Sequence, residues 1–270
     1  MSQYKLIALD MDGTLLDSRH EIPKRVKEAI AAAKAKGVTV ALCTGRPLKG
    51  IRPQLEELGM NEKGNYSITY NGAFVQDNFT QQAVSHKTMS ASQILELLTL
   101  AKKAGSRSHF LDLERVYTVD LEVSDYTILD CYITKSHLNI VTPENIDPEK
   151  IYTKFMLVDH PEIIDGALTY LDDAFHEKYT VIRSQPFFLE IMNKDANKGT
   201  GVEILARTLG IKQEEVICVG DQENDRHMIE YAGLGVAMGN AVDSIKSIAN
   251  HITATNNEAG VARVIEEFIL

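Results

Sequence analysis

The sequence predicts an α/β protein: a doubly wound parallel sheet whose chain is interrupted by a second, α+β domain. Three observations predict it. Residues 4–9 (YKLIAL), 38–43 (VTVALC) and 216–219 (VICV) are short and nearly all apolar, the texture of strands buried on both faces. The first two runs flank an amphipathic helical stretch, which makes a strand–helix–strand unit. Between about 84 and 192 the texture changes to helices mixed with β-branched and aromatic runs, while both ends of the chain keep the first pattern.

Each element follows from its residues. Over 24–36, Val26, Ile30 and Ala33 recur at helical spacing, and Gly37 stands where a C-terminal cap would. Within the insert, Ile94, Leu97, Leu98 and Ala101 place a helix over 91–104 ahead of Gly105, and Pro161 opens another over 161–175. Runs at 115–119, 126–133, 152–158, 179–183 and 187–192 supply the β texture. After the insert, Val202, Leu205, Ala206 and Leu209 share one face of a helix over 199–209. Val261, Val264, Ile265 and Phe268 do the same over 258–269. The domains are therefore read as 1–83 plus 193–270, with 84–192 inserted.

Composition narrows the classes of function. Apolar residues are 44% and charged residues 24% of 270, ordinary for a globular chain with a sizeable core. A net charge of −10 argues against nucleic acid or an anionic membrane as partner. It also requires local positive charge wherever an anion binds. Cys43, Cys131 and Cys218 cannot all pair within the chain, which points to a reducing compartment. No apolar run approaches the ~18 residues of a membrane span, and MSQYKLIALD lacks the segments of a signal peptide. The expectation is a soluble, cytoplasmic protein.

Each apolar run ends in reactive residues. Asp10-Met11-Asp12-Gly13-Thr14 follows the first, Thr44-Gly45-Arg46 the second, and Gly220-Asp221 with Asn224 and Asp225 the third. Open parallel sheets bind ligands beyond the carboxyl ends of their strands, so neighbouring strands would bring these clusters together. Asp10, Asp12 and Asp221 would then crowd three carboxyls, which repel unless protons or a cation intervene. A hard divalent cation resolves the conflict, and magnesium takes a few carboxylates, waters and a phosphate oxygen. Gly13 permits a sharp turn that lets a backbone carbonyl approach the ion. Asn224 and Asp225, three and four positions after Asp221, share a helical face and are placed to orient groups around the metal. Thr44 offers a hydroxyl, Gly45 close backbone approach, and Lys198 a charge ahead of a helix whose free N–H groups favour anions. With phosphate held in this way, Asp10 can attack phosphorus to form an aspartyl-phosphate. Asp12 fits as general acid for the leaving alcohol and base for water, and positioning with charge neutralisation carries most of the acceleration.

Singly, these motifs have plainer readings. D-x-D-G-T serves a solvated turn as well as a site. It also resembles the start of a calcium loop, with Glu21 eleven residues after Asp10, but Leu15 stands where that loop needs Gly and a strand precedes it. Thr-Gly commonly closes strands, a lone Lys198 is an ordinary surface lysine, and Asp221 to Asp225 alone is a capped helix start. Cys43 lacks the arginine of a Cys-x5-Arg phosphatase, since Lys49 occupies that position, and Asn197-Lys198-Gly199-Thr200 lacks the leading glycine of a P-loop. His86, His109, His137 and His227 show no metal-ligand spacing. The ordered convergence, not any single motif, points to chemistry.

That ordered set, from Asp10 through Thr44-Gly45-Arg46 and Lys198 to Asp225, resembles the haloacid dehalogenase superfamily. The resemblance is to its Cof-type branch and, within it, the YidA-like sugar phosphatases. Tyr70-Asn71-Gly72-Ala73 and Phe188-Leu189-Glu190-Ile191, followed by Asn197-Lys198-Gly199, resemble the same branch. The resemblance implies a Rossmann-like core with a cap inserted between the second and third motifs. It implies Asp10 as nucleophile, Asp12 as acid and base, and magnesium on the Asp10 side chain, the Asp12 backbone carbonyl and Asp221. Phosphate contacts would come from the Met11 backbone, Thr44, Gly45, Lys198 and Asn224, with Arg46 and Asn71 facing the substrate beyond its phosphate. The acid at Asp12 separates this pattern from the family's ATPases, which carry Thr there, and from its dehalogenases, which lack it. The implied activity is a magnesium-dependent phosphatase of small phosphorylated metabolites, sugar phosphates first, whose cap sets substrate preference and closes on hinges near 82–88 and 190–197. A phosphomutase shares the aspartyl-phosphate step but must exclude water from it. A phospho-accepting signalling module is a third reading, although such modules are usually half this length and carry no insert.

Overall fold

The computed structural model describes residues 3–270. The chain enters through β1 (Leu6–Leu9), α1 (Lys24–Ala35), β2 (Thr39–Cys43), α2 (Arg52–Glu57), β3 (Tyr66–Thr69), β4 (Phe74–Asp77) and β5 (Ala83–His86). It continues through β6 (Met89–Ser90), α3 (Ala91–Ala104), β7 (Ser108–Leu111), β8 (Arg115–Thr118), α4 (Asp125–Thr134), β9 (His137–Ile140), β10 (Ile151–Tyr152) and β11 (Lys154–Val158). Next come α5 (Pro161–Leu168), α6 (Asp173–Lys178), β12 (Tyr179–Gln185) and β13 (Phe188–Asn193). The final stretch holds α7 (Lys198–Leu209), β14 (Val216–Gly220), α8 (Arg226–Tyr231), β15 (Leu234–Ala237), α9 (Asp243–Lys246), β16 (His251–Ile252) and α10 (Gly260–Phe268). Two compact units result. One holds residues up to Arg46 with Ile51–Ser85 and Asn197–Leu270; the other holds His86–Ala196 with Pro47–Gly50.

The first unit is a Rossmann-like α/β core. Its eight-stranded sheet runs β16-β15-β14-β1-β2-β3-β4-β5. Pairing is parallel from β16 to β3 and antiparallel between β3 and β4. Every residue of β1 and β14 is buried, which is why these strands read as continuous apolar runs. Helix α1 buries Val26, Ala29, Ile30 and Ala33 and leaves Lys24, Arg25 and Glu28 in solvent.

The second unit is a separate cap with a six-stranded mixed sheet, β12-β13-β11-β7-β8-β9, and a short β10-β6 pair. Helices α3 and α5 lay Ile94, Leu97, Ala101, Ile164 and Ala167 against Phe110, Phe155, Leu157, Leu189 and Ile191 of the sheet. Ser90 starts α3 with a capping box: the Gln93 N–H donates to the Ser90 hydroxyl, and the Ser90 N–H donates to Gln93 Oε1 at 2.9 Å.

Two local expectations for the cap change. Residues 126–133, read as part of its β texture, form helix α4. Ser124 caps it by accepting the Tyr126 N–H at 3.2 Å, and the apolar Ile128, Tyr132 and Ile133 lie on its exposed side. Capping and tertiary placement outweigh the β propensity of these residues. The helix read over 161–175 is two. Helix α5 ends at Leu168, and Asp172 caps α6 by accepting the Phe175 N–H at 2.9 Å. Among the described residues no helix is long and apolar enough to cross a membrane.

Candidate active site

Asp10, Thr44 and Asp221 each stand directly after a central strand. Because β14, β1 and β2 are adjacent and parallel, with Leu9 opposite both Val219 and Leu42, the three residues leave the sheet side by side at its carboxyl edge. Lys198 reaches the same place from the first position of α7, which Asn197 caps by accepting the Thr200 N–H at 2.8 Å.

Lys198 is fully buried, and its Nζ lies 2.6 Å from Asp10 Oδ1 and 2.6 Å from Asp225 Oδ1. Asp225 uses its other oxygen to accept the N–H groups of Asp221 at 2.8 Å and Gln222 at 3.0 Å. Asp225 thus ties the lysine to the loop that carries Asp221. Asp10 gives only Oδ1 to the lysine; among the described residues no group donates a hydrogen bond to its Oδ2. Asp221 accepts from the Thr14 hydroxyl at 2.9 Å and from Gln222 Nε2 at 3.3 Å.

Carboxyl oxygens of Asp10, Asp221 and Asp225 all lie within 4.8 Å of one another and are buried. Burial first, then the Asp225 charge, pushes Asp10 well above the ordinary carboxylate range, although Lys198 pulls it back. Burial and Asp225 raise Asp221 in the same sense. Burial also works against the Lys198 charge, but Asp10 and Asp225 outweigh it and hold that amine above the ordinary lysine value. One lysine therefore does not neutralise three buried carboxyls, and the set has the chemistry of a cation site. The local backbone suits it. Gly13 adopts φ +83°, and a Cβ there would sit 2.5 Å from Asp221 Oδ2, so any side chain would fill the space beside that carboxylate.

The remaining predicted residues fall around this centre. The Asp12 side chain turns toward Arg46, whose Nη2 and Nε meet its two oxygens at 2.5 and 2.9 Å. The Thr44 hydroxyl accepts the Arg46 N–H at 3.2 Å. Among the described residues the N–H groups of Met11 and Gly45 donate to no acceptor. Asn224 donates from Nδ2 to Asn71 Oδ1 at 3.1 Å, and Asn71 is buried. Three supporting groups were given no role in the sequence reading: Thr14, Gln222, and Asn240, whose amide donates to the Gly13 carbonyl at 2.8 Å. Thr14 was visible inside D-x-D-G-T; no local signal marked Asn240.

With this geometry in place, comparison with known proteins is informative. The family described as haloacid dehalogenase-like hydrolase matches residues 7–265. The protein YxeH of Bacillus subtilis is 43% identical over 267 residues, covering 99% of both chains. The 5-amino-6-(5-phospho-D-ribitylamino)uracil phosphatase YcsE of the same organism is 32% identical, covering 98% of this chain and 96% of its own. A haloacid dehalogenase-like hydrolase from Bacteroides thetaiotaomicron superposes with a TM-score of 0.85 at 32% identity, over 97% of this chain and 98% of that one. The subclass IIB sugar phosphatase BT4131 superposes at 0.80 with 26% identity, over 98% of each. The chain belongs to the haloacid dehalogenase-like hydrolases, in their Cof-type phosphatase branch. The family match and the buried aspartate cluster together make it a phosphoric monoester hydrolase.

Proposed function

We propose that this hydrolase is a magnesium-dependent phosphatase of small phosphorylated metabolites, sugar phosphates foremost, and that it works through an aspartyl-phosphate on Asp10. The observation that carries the reading is the state of the Asp10 carboxylate. One oxygen is held 2.6 Å from a buried lysine, and the other accepts no hydrogen bond from the described residues at the carboxyl edge of the sheet. A nucleophile needs that fixed orientation and that unengaged oxygen.

The steps follow from the residues. Lys198, Thr44 and the N–H groups of Met11 and Gly45, which donate to no acceptor among the described residues, supply donors for the phosphoryl oxygens, with Asn224 beside them. Asp10 Oδ2 forms a bond to phosphorus as the bond to the leaving oxygen breaks. Asp12 gives its proton to that oxygen, so the alcohol leaves neutral. Water then attacks the phosphorus, Asp12 takes its proton back, and Asp10 is released as carboxylate. Arg46 orients Asp12 before the substrate arrives and, as a cation, attracts the incoming anion. Asp10, Asp221 and the Asp12 backbone would hold magnesium, which supplies neutralisation of charge on the transferring phosphoryl group. In this reading Asp225 serves the lysine and the loop.

Support for sugar phosphates comes from the relatives, one a sugar phosphatase and one a 5-amino-6-(5-phospho-D-ribitylamino)uracil phosphatase. The cap unit, 86–196, is proposed to set substrate preference by contacts to the organic part of a substrate. Three unpaired thiols, Cys43 and Cys218 buried among them, fit a cytoplasmic setting. The test is phosphate release from a panel of sugar phosphates and p-nitrophenyl phosphate, with magnesium or with EDTA. Magnesium-dependent multiple turnover is expected, with one compound class preferred. Turnover undiminished by EDTA would remove the metal from the reading, and failure on every sugar phosphate alongside activity on other esters would remove the substrate class.

A further inference from the structure

Residues 70–72 have an unusual backbone. Tyr70 and Asn71 adopt φ +51° and +52°, and Gly72 follows at +91°. Two consecutive non-glycine residues in the left-handed region are uncommon, and such conformations persist only where surrounding structure holds them. Here the surroundings are the phosphate-binding elements. The Asn71 N–H donates to the Thr44 carbonyl at 3.0 Å, and the Tyr70 N–H donates to the Arg46 carbonyl at 3.2 Å. The Asn71 amide lies over Gly45, where a Cβ would stand 3.0 Å from its Nδ2 and 3.1 Å from its Oδ1. That same Oδ1 accepts from Asn224 Nδ2 at 3.1 Å. On the other side Gly72 packs so tightly beneath the residue preceding Lys198 that a Cβ would fall 1.9 Å from the Asn197 carbonyl oxygen. One three-residue segment therefore touches the Thr44 loop, the start of α7 and Asn224, elements far apart in sequence.

We propose that Asn71 is a positioning residue for phosphate binding. Its backbone N–H holds the Thr44 carbonyl and its amide holds Asn224 Nδ2 and covers Gly45, so one residue fixes both the 44–46 loop and the Asn224 amide. The assignment rests on the phosphatase reading above. Asn71 acts through the other two residues, so removing its side chain frees the Asn224 amide to rotate and lets the 44–46 loop shift over Gly45. Glycine tolerates the same φ, so Asn71→Gly removes the amide without straining the turn. Asn71→Ala removes the amide and strains the backbone as well.

Inorganic phosphate is the probe, with its dissociation constant measured by calorimetry in the presence of magnesium. The set is the native protein, Asn71→Gly, Asn71→Ala, Asn224→Ala and the double variant Asn71→Gly with Asn224→Ala. Asn71→Gly is expected to weaken phosphate about tenfold at unchanged unfolding midpoint, and the double variant no more than Asn224→Ala alone, because the two act as a unit. Binding within twofold of native in Asn71→Gly overturns the proposal. So does a double variant whose loss equals the sum of the singles, since that would show Asn71 acting apart from Asn224. Turnover by Asp10→Asn is measured in parallel. Its survival would sink the aspartyl-phosphate reading alone and leave the phosphate comparison to decide the role of Asn71.

Discussion

Arg46 and Asp12 show how residue-scale geometry refines a sequence motif. The family resemblance implies that Arg46 faces the substrate, and Asp12 is read as the acid for the leaving group; in the structure they face each other with a guanidinium fork on a carboxylate. A lysine keeps the charge but loses the fork. Arg46→Lys is therefore expected to lower kcat/KM on p-nitrophenyl phosphate by about tenfold to a hundredfold, the scale of a misplaced catalytic group. An unchanged kcat/KM would show that Asp12 needs no orientation from Arg46. The chemistry-bearing residues were legible because carboxylates, a lysine and glycines at strand ends have few other uses together. The bond between Asn71 and Asn224 was not legible, because the two residues lie 153 positions apart and only the tertiary fold brings their amides together. Spacing sets Asp225 on one helical face with Asn224, but it does not reveal that its two oxygens are spent on Lys198 and on backbone N–H groups.

At the scale of elements, α7 links stability to chemistry. Its first residue is Lys198 and its cap is Asn197. Asn197→Ala is expected to cost about 1 kcal/mol in urea unfolding, the usual loss for an asparagine N-cap. It should lower phosphatase activity as well, because fraying the first turn releases the lysine. A loss of stability with activity fully kept would show that Lys198 is held by its two carboxylates alone. Helices with clear apolar periodicity, such as α1, α3, α7 and α10, were readable nearly to their ends. Helix α4 was not, since Ile128, Tyr132 and Ile133 face outward and its cap is a single serine. The stretch after α5 was misread for a related reason: Asp172 restarts the helix in the middle of an otherwise continuous pattern.

For the whole molecule, the net charge of −10 sharpens the need for a cation at the site. Asp10 and Asp221 are both raised by burial and by Asp225. For a carboxyl the sign is fixed. A raised folded value means that the contribution to stability is full below the unfolded value and is lost as pH rises through the folded one. Ionising this pair at neutral pH therefore opposes folding, and a bound cation should recover the difference. The stabilisation of the melting temperature by magnesium is expected to grow from about pH 5 to about pH 8, because protons compete with the metal for the same carboxylates. Differential scanning calorimetry at both pH values checks this, and a magnesium shift that is the same or larger at the acidic value would contradict it. An α/β core with a separate α+β cap was legible from the change of texture along the chain. The assignment of Pro47–Gly50 to the second unit was not, because four residues after a strand carry no compositional mark.

The central claim is that Asp10 carries the phosphoryl group. The most direct measurement is rapid acid quench of the protein reacting with p-nitrophenyl phosphate and magnesium, followed by mass spectrometry of the peptide containing Asp10 and by steady-state rates for Asp10→Asn. The account predicts a phosphoryl group on Asp10 during turnover, its absence when EDTA replaces magnesium, and a loss of at least about a thousandfold in kcat for Asp10→Asn. A phosphoryl group mapped to another residue, or an Asp10→Asn variant that turns over at the native rate, would contradict it.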